Sequence, residues 1–262
     1  MSERLPLRVL PLAVFAILAL LAAVVPADAL RALDWVGNAV CHRIPARSFF
    51  VAGRQLPVCA RDTGMFSAAL LGVIGFAWTL RSRASAFPPR PYAYVFAASF
   101  VAWAFDGFNS YWLLVTGRTL FYQPQNWLRL TTGAFMGVAL SAYVTALANQ
   151  AIWRTADPTP VVHSWRDVLR LIAIAVFVVL VVLWRPDFLF GPIALTSGLG
   201  VFVLLTLVNG LIALVAMRQH GRVERWRQLV LPGIIGFILT LAQIGLINLI
   251  RAALIQPFDA PF

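Results

Sequence analysis

Residues 92–115 read YAYVFAASFVAWAFDGFNSYWLLV, an apolar run interrupted by one carboxylate, Asp106, with Asn109 and Ser110 three and four positions after it. A membrane-crossing helix needs about 20 predominantly apolar residues, so this run is long enough to span a bilayer. Hydrocarbon offers the backbone no water, and a helix satisfies its peptide groups within the one segment. At about 1.5 Å per residue, Asp106 sits roughly two-thirds of the way across. A carboxylate at that depth is costly unless a cation, a protein interior or a water cavity receives it, which makes Asp106 a functional-site candidate. Asn109 and Ser110 share its helix face.

Runs of the same kind recur near 9–26, 64–80, 128–150, 168–184, 193–217 and 229–250. They predict an all-α, polytopic integral membrane helix bundle of about seven transmembrane helices, folded as a single membrane domain over residues 1–262. The count falls to six if the first run is a signal peptide. Arg4 and Arg8 precede its apolar core and Ala27-Asp28-Ala29 follows it, as at a cleavage site, but the core is longer than a usual signal core and favours a retained helix.

Composition agrees: the chain is 61% hydrophobic and 12% charged, against about 25% charged in soluble domains. Its 21 basic residues are all arginine and face 10 acidic residues, a formal charge of +11. These arginines punctuate apolar runs, so the partners they imply are membrane lipids and anionic headgroups, and not nucleic acid. With the N-terminus inside, twelve arginines fall on the cytoplasmic side and nine on the other, and five of those nine lie in or beside residues 41–66. Setting those five aside leaves a positive-inside bias, which places 41–66 outside as an extracytoplasmic loop between the first two helices.

That loop reads CHRIPARSFFVAGRQLPVCARDTGMF and carries both cysteines of the chain and one of its three histidines. Cys41, His42, Cys59 and Asp62 can all ligate a metal. Zinc accepts this donor set, and the C-x-x-D spacing places Cys59 and Asp62 on one turn, although adjacent Cys41 and His42 ligating together would be less usual. Outside the cytoplasm the two cysteines could equally close a disulfide, or remain free thiols. The absence of C-x-x-C-H excludes covalent haem attachment.

Residues 41–64 resemble the signature of a family of bacterial and archaeal predicted membrane proteins catalogued as domain of unknown function 2085, in which C-H is followed by R-S-F and then by G-x-x-L-P-V-C-A-R-C-T-G. The matching positions are Cys41, His42, Arg47, Ser48, Phe49, Gly53, Leu56, Pro57, Val58, Cys59, Ala60, Arg61, Thr63 and Gly64. The chain departs at Asp62, where the family pattern has a third cysteine. A second block of that family, an Asp-Gly ending one helix and N-x-L-R-x-x-T-G opening the next, is similar to Asp106, Gly107, Asn126, Leu128, Arg129, Thr132 and Gly133 here. The resemblance implies a multi-pass protein of a bacterial or archaeal cytoplasmic membrane.

In the run 128–150 and its approach, Asn126, Arg129, Gly133 and Gly137 form one stripe, polar at its start and smooth further in, and Gly133-xxx-Gly137 permits close approach by another helix. Consecutive helices joined by a short connection are neighbours, so an Asp106–Arg129 ion pair is within reach. Two functions fit. One is an enzyme acting at the outer leaflet on a lipid or prenyl-phosphate substrate, with Asp106 and Arg129 catalytic, Arg61, Asn109 and Asn126 binding the anionic substrate, and zinc at Cys41, His42, Cys59 and Asp62. The other is a transporter or accessory membrane subunit whose Cys/His loop is a structural clasp. No G-x-S-x-G, H-E-x-x-H or phosphate-binding glycine loop is present to decide the matter.

Overall fold

The computed structural model describes residues 27–78 and 83–254. Seven α-helices make up this part of the chain: α1 Ala27–Val40, α2 Ala60–Trp78, α3 Arg90–Thr116, α4 Asn126–Ile152, α5 Trp165–Trp184, α6 Phe190–Ala216 and α7 Val230–Leu254. The protein is an all-helical membrane bundle. Six of the expected runs coincide with α2 to α7, whereas 9–26 lies outside the described residues. Among the described helices α4 to α7 are long and apolar enough to cross a membrane by length and composition. α2 and α3 fall short of that group, since α2 opens on Arg61 and Asp62 and α3 carries Asp106, Asn109 and Ser110 amid small and aromatic residues.

Two elements differ from expectation. α1 stands where hydropathy shows no span: its 14 residues are amphipathic, with Leu30, Leu33 and Val36 buried at spacings of three, and it packs on α6 and α7. α2 begins at Ala60, so the last residues of the expected loop 41–66 are helical. Arg61 and Asp62 look like loop residues by polarity alone. They are instead the first turn of α2, where free backbone N–H groups favour a carboxylate.

The centre of the bundle is α2 packed along α4. A Cβ on Gly133 would collide with the Arg61 carbonyl, and one on Gly137 with the Met65 carbonyl, so two adjacent turns of α4 must lack side chains for the helices to approach this closely. Around that axis Leu130, Ala134, Val138 and Ala142 of α4 are buried with Ala68 and Leu71 of α2 and Ile193 and Ala194 of α6. Amides tie the outer helices together: Asn209 donates to Thr240 Oγ1 at 2.9 Å and to Gln243 Oε1 at 3.1 Å, and Asn248 donates to the Trp35 carbonyl at 2.9 Å.

The two ends of the bundle are built differently. One end gathers the segment 41–59, the α3–α4 loop and the α5–α6 turn. There Phe50–Val51 and Arg54–Gln55 (β1, β2) pair antiparallel across Ala52 and Gly53, both at positive φ, the backbone of a two-residue hairpin turn matched to strand twist. Asp187 accepts the Ala52 N–H at 3.2 Å and so anchors the strained turn to the α5–α6 connection. At the other end Ala84–Ala86 and Asp157–Pro160 (β3, β4) pair in parallel, and Arg154 meets Glu224 at 2.5 Å.

Candidate functional site

Asp106 is 1% exposed. Its partner is Arg61, whose Nη2 contacts Oδ2, and its other oxygen accepts from the Tyr122 hydroxyl at 2.7 Å. The expected Asp106–Arg129 pair is therefore corrected. Gly133 admits the first turn of α2 against α4, and this places Arg61 between the two helices that carry Asp106 and Arg129. Arg129 reaches the same cluster through Ser110: its Nε and Arg61 Nη2 lie 3.4 and 3.2 Å from Ser110 Oγ, and Arg47 Nη2 donates to the Ser110 carbonyl at 3.2 Å. Three guanidinium groups thus surround one residue of α3, with Asp106 the one carboxylate paired to them among the described residues.

Asn109 and Asn126 orient this cluster. Asn109 donates to the Tyr122 carbonyl at 2.8 Å and accepts the Phe121 N–H at 3.1 Å, which folds the α3–α4 loop back so that the Tyr122 hydroxyl meets Asp106. Asn126 accepts from Arg129 Nη1 at 2.8 Å and donates to the Ala46 carbonyl at 3.2 Å, joining α4 to the segment 41–59. Burial, followed by the hydrogen bond to Asp106, pushes the Tyr122 pKa up to about 12. Burial and the nearby Arg61 charge lower that of Arg47. The sequence alone places Ser110 on the Asp106 helix face, whereas Tyr122 and Arg47 are not singled out by it as members of this cluster. Tyr122 lies in a connector with no periodicity, and Arg47 is one of several arginines in the segment after α1.

Beside the cluster opens a cleft of about 560 Å³ lined by Ser48, Phe49, Phe50, Asn126, Trp127, Arg129, Leu183 and Arg185, among others. Arg129 is 6% exposed, yet it lines this cleft and has no carboxylate within ion-pair distance among the described residues. Phe50, Trp127 and Leu183 present exposed apolar surface at the same opening.

The expected metal ligands separate. Cys41 Sγ, Cys59 Sγ and an Asp62 carboxylate oxygen lie within 4.8 Å of one another, while His42 is exposed and outside the group. Both cysteines are free thiols. Cys59 Sγ donates to Asp62 Oδ2 at 3.1 Å, and the backbone N–H groups of Cys59 and Arg43 donate to Cys41 Sγ at 3.3 and 3.4 Å. Hydrogen bonding from Cys59 lowers the Cys41 pKa, and the same contact, together with burial, raises that of Cys59. Next to His42, Arg43 takes a left-handed backbone conformation and its side chain pairs with Asp34 of α1 at 2.9 Å.

The fold and this end of it define a polytopic membrane protein with a buried arginine–carboxylate cluster beside a convergent thiol–carboxylate group. Residues 41–143 match the family described as "Predicted membrane protein (DUF2085)", the family that the signature segment resembles. An uncharacterized protein of Methanocaldococcus jannaschii is 28% identical over 119 residues, 45% of this chain and 70% of that protein. No solved structure matches. From Cys41 to Arg129 the cluster and the thiol group lie inside the matched region, while Arg185 of the cleft lies beyond it.

Proposed function

We propose that the cleft binds the anionic headgroup of a lipid or prenyl-phosphate molecule at the outer leaflet, and that this is the substrate site of a membrane-embedded protein. The observation that carries the reading is Arg129, a buried guanidinium lining an open cleft without a carboxylate of its own. A buried cation lacking a counter-charge is costly, and a bound phosphate offsets that cost with charge-assisted hydrogen bonds. The rim of Phe50, Trp127 and Leu183 suits the chain of an amphiphile, and the Arg129 and Arg185 side suits its head. Arg47 and Arg61 add positive field behind Arg129, and Asp106 prevents Arg61 from remaining an unpaired buried charge. With both oxygens of Asp106 engaged and its surface covered, the carboxylate suits a positioning role better than that of a free general base. Placement of this end outside the cell rests on the arginine distribution.

Native mass spectrometry of the full-length protein in detergent tests the reading, with phosphatidylglycerol and phosphatidylcholine of matched chains as probes. Phosphatidylglycerol should be retained preferentially. Arg129→Gln should weaken that retention about tenfold, a loss of about 1.4 kcal/mol, while Arg154→Gln at the opposite end should not. Equal retention by wild type and Arg129→Gln would overturn it.

A further inference from the structure

We infer that Cys41, Cys59 and Asp62 form a three-ligand site for a thiophilic divalent cation, zinc by donor set, and that His42 takes no part in it. The site is separate from the headgroup cleft and would stand if headgroup binding failed. Three observations converge on it. The ligand atoms already lie within 4.8 Å of one another, so modest side-chain rotations would bring them to the edges, about 3.5–3.8 Å, of a tetrahedron built on zinc–sulfur bonds of about 2.3 Å and zinc–oxygen bonds of about 2.0–2.2 Å. Two backbone N–H groups, from Cys59 and Arg43, are aimed at Cys41 Sγ, the kind of outer hydrogen bonding that holds a thiolate ligand in place. Cys59 and Asp62 flank the start of α2, which begins at Ala60, and the free N–H groups of a helix start favour negative charge there.

The charge balance is also suitable. Two thiolates and one carboxylate carry three negative charges and a divalent cation leaves one. Ligand from the segment after α1 and two ligands at the start of α2 would be drawn onto one ion. The Cys41 carbonyl is already held from α7 by Arg251 Nη1 at 2.9 Å, so the ion would lock three helices at this end. Three protein ligands leave a tetrahedral position for water or another small ligand. Soft sulfur donors select zinc over magnesium or calcium.

The test uses the full-length protein purified in detergent, reduced and free of chelator, with zinc and then cobalt as the probes. One zinc per chain is expected, and cobalt should give thiolate-to-metal charge transfer with visible bands of tetrahedral type. Cys41→Ser and Cys59→Ser should lose the metal, Asp62→Asn should bind at least tenfold more weakly, and His42→Ala should keep its full complement. Because the cysteine variants can fail by misfolding, Asp62→Cys supplies an independent reading: a third thiolate should raise the charge-transfer intensity by about half while the metal stays bound. Wild type with two alkylatable thiols and no bound zinc or cobalt would overturn the inference. So would an intact mass showing a Cys41–Cys59 disulfide under non-reducing preparation without metal, or loss of metal in His42→Ala.

Discussion

Replacing Asp106 by alanine should be among the most damaging single changes at this end of the protein. The carboxylate is 1% exposed and the Arg61 side chain 18% exposed, so the pair is largely removed from solvent. Removing one partner of a buried ion pair costs about 3–5 kcal/mol, mainly because the other charge is left uncompensated. Arg47 and Arg129 also face Ser110 alongside Arg61, so the positive charge left behind is not that of Arg61 alone. At about 2–4 °C per kcal/mol for a chain of this size, the midpoint of thermal unfolding should fall by about 10 °C. The assay is thermal unfolding in one detergent followed by tryptophan emission, run as a double-mutant cycle. Arg61→Ala on its own should be comparably harmful, but Asp106→Ala with Arg61→Ala should cost at least about 2 kcal/mol less than the sum, because no unpaired partner remains. The same cycle with Arg129→Ala should show less coupling, since Arg129 touches Ser110 and Asn126 and not the carboxylate. Additive losses for Asp106 and Arg61, or stronger coupling to Arg129, would refute the assignment of partners.

Further outcomes follow from neighbouring geometry. Gly133→Ala should destabilise by about 1–3 kcal/mol, since its methyl group meets the Arg61 backbone and separates α2 from α4; a thermal midpoint equal to wild type would contradict the close crossing. Tyr122 has a folded pKa raised to about 12 from an ordinary value of 10.0. Its contribution is thus fully present below pH 10 and is lost as the pH rises toward about 12. An alkaline titration of stability should show this decline in wild type and a smaller one in Tyr122→Phe, which at neutral pH should lose about 1 kcal/mol with the hydrogen bond to Asp106. Asp187→Ala removes the carboxylate that accepts the Ala52 N–H of the hairpin, and limited proteolysis should then cut near Ala52 and Gly53 faster than in wild type.

The sequence by itself determined the class of this protein. Long apolar runs punctuated by arginine require a helical membrane bundle because hydrocarbon leaves the backbone no other partner. It also singled out Asp106 through the cost of burying a carboxylate, and the smooth stripe at Gly133 and Gly137 through the absence of side chains. Tertiary structure decided which charges meet. Hydropathy reports how deeply one helix is buried, whereas the choice between Arg61 and Arg129 depends on how far two helices slide and turn against each other. That register is set by the carbonyl of Arg61 resting on Gly133, a contact between residues far apart in sequence. The same holds for Tyr122, brought to Asp106 by a loop folded onto Asn109, and for His42, left exposed and outside the thiol–carboxylate group. Residue types named the chemistry available at this end of the chain, and helix packing selected Cys41, Cys59 and Asp62 as the group that converges.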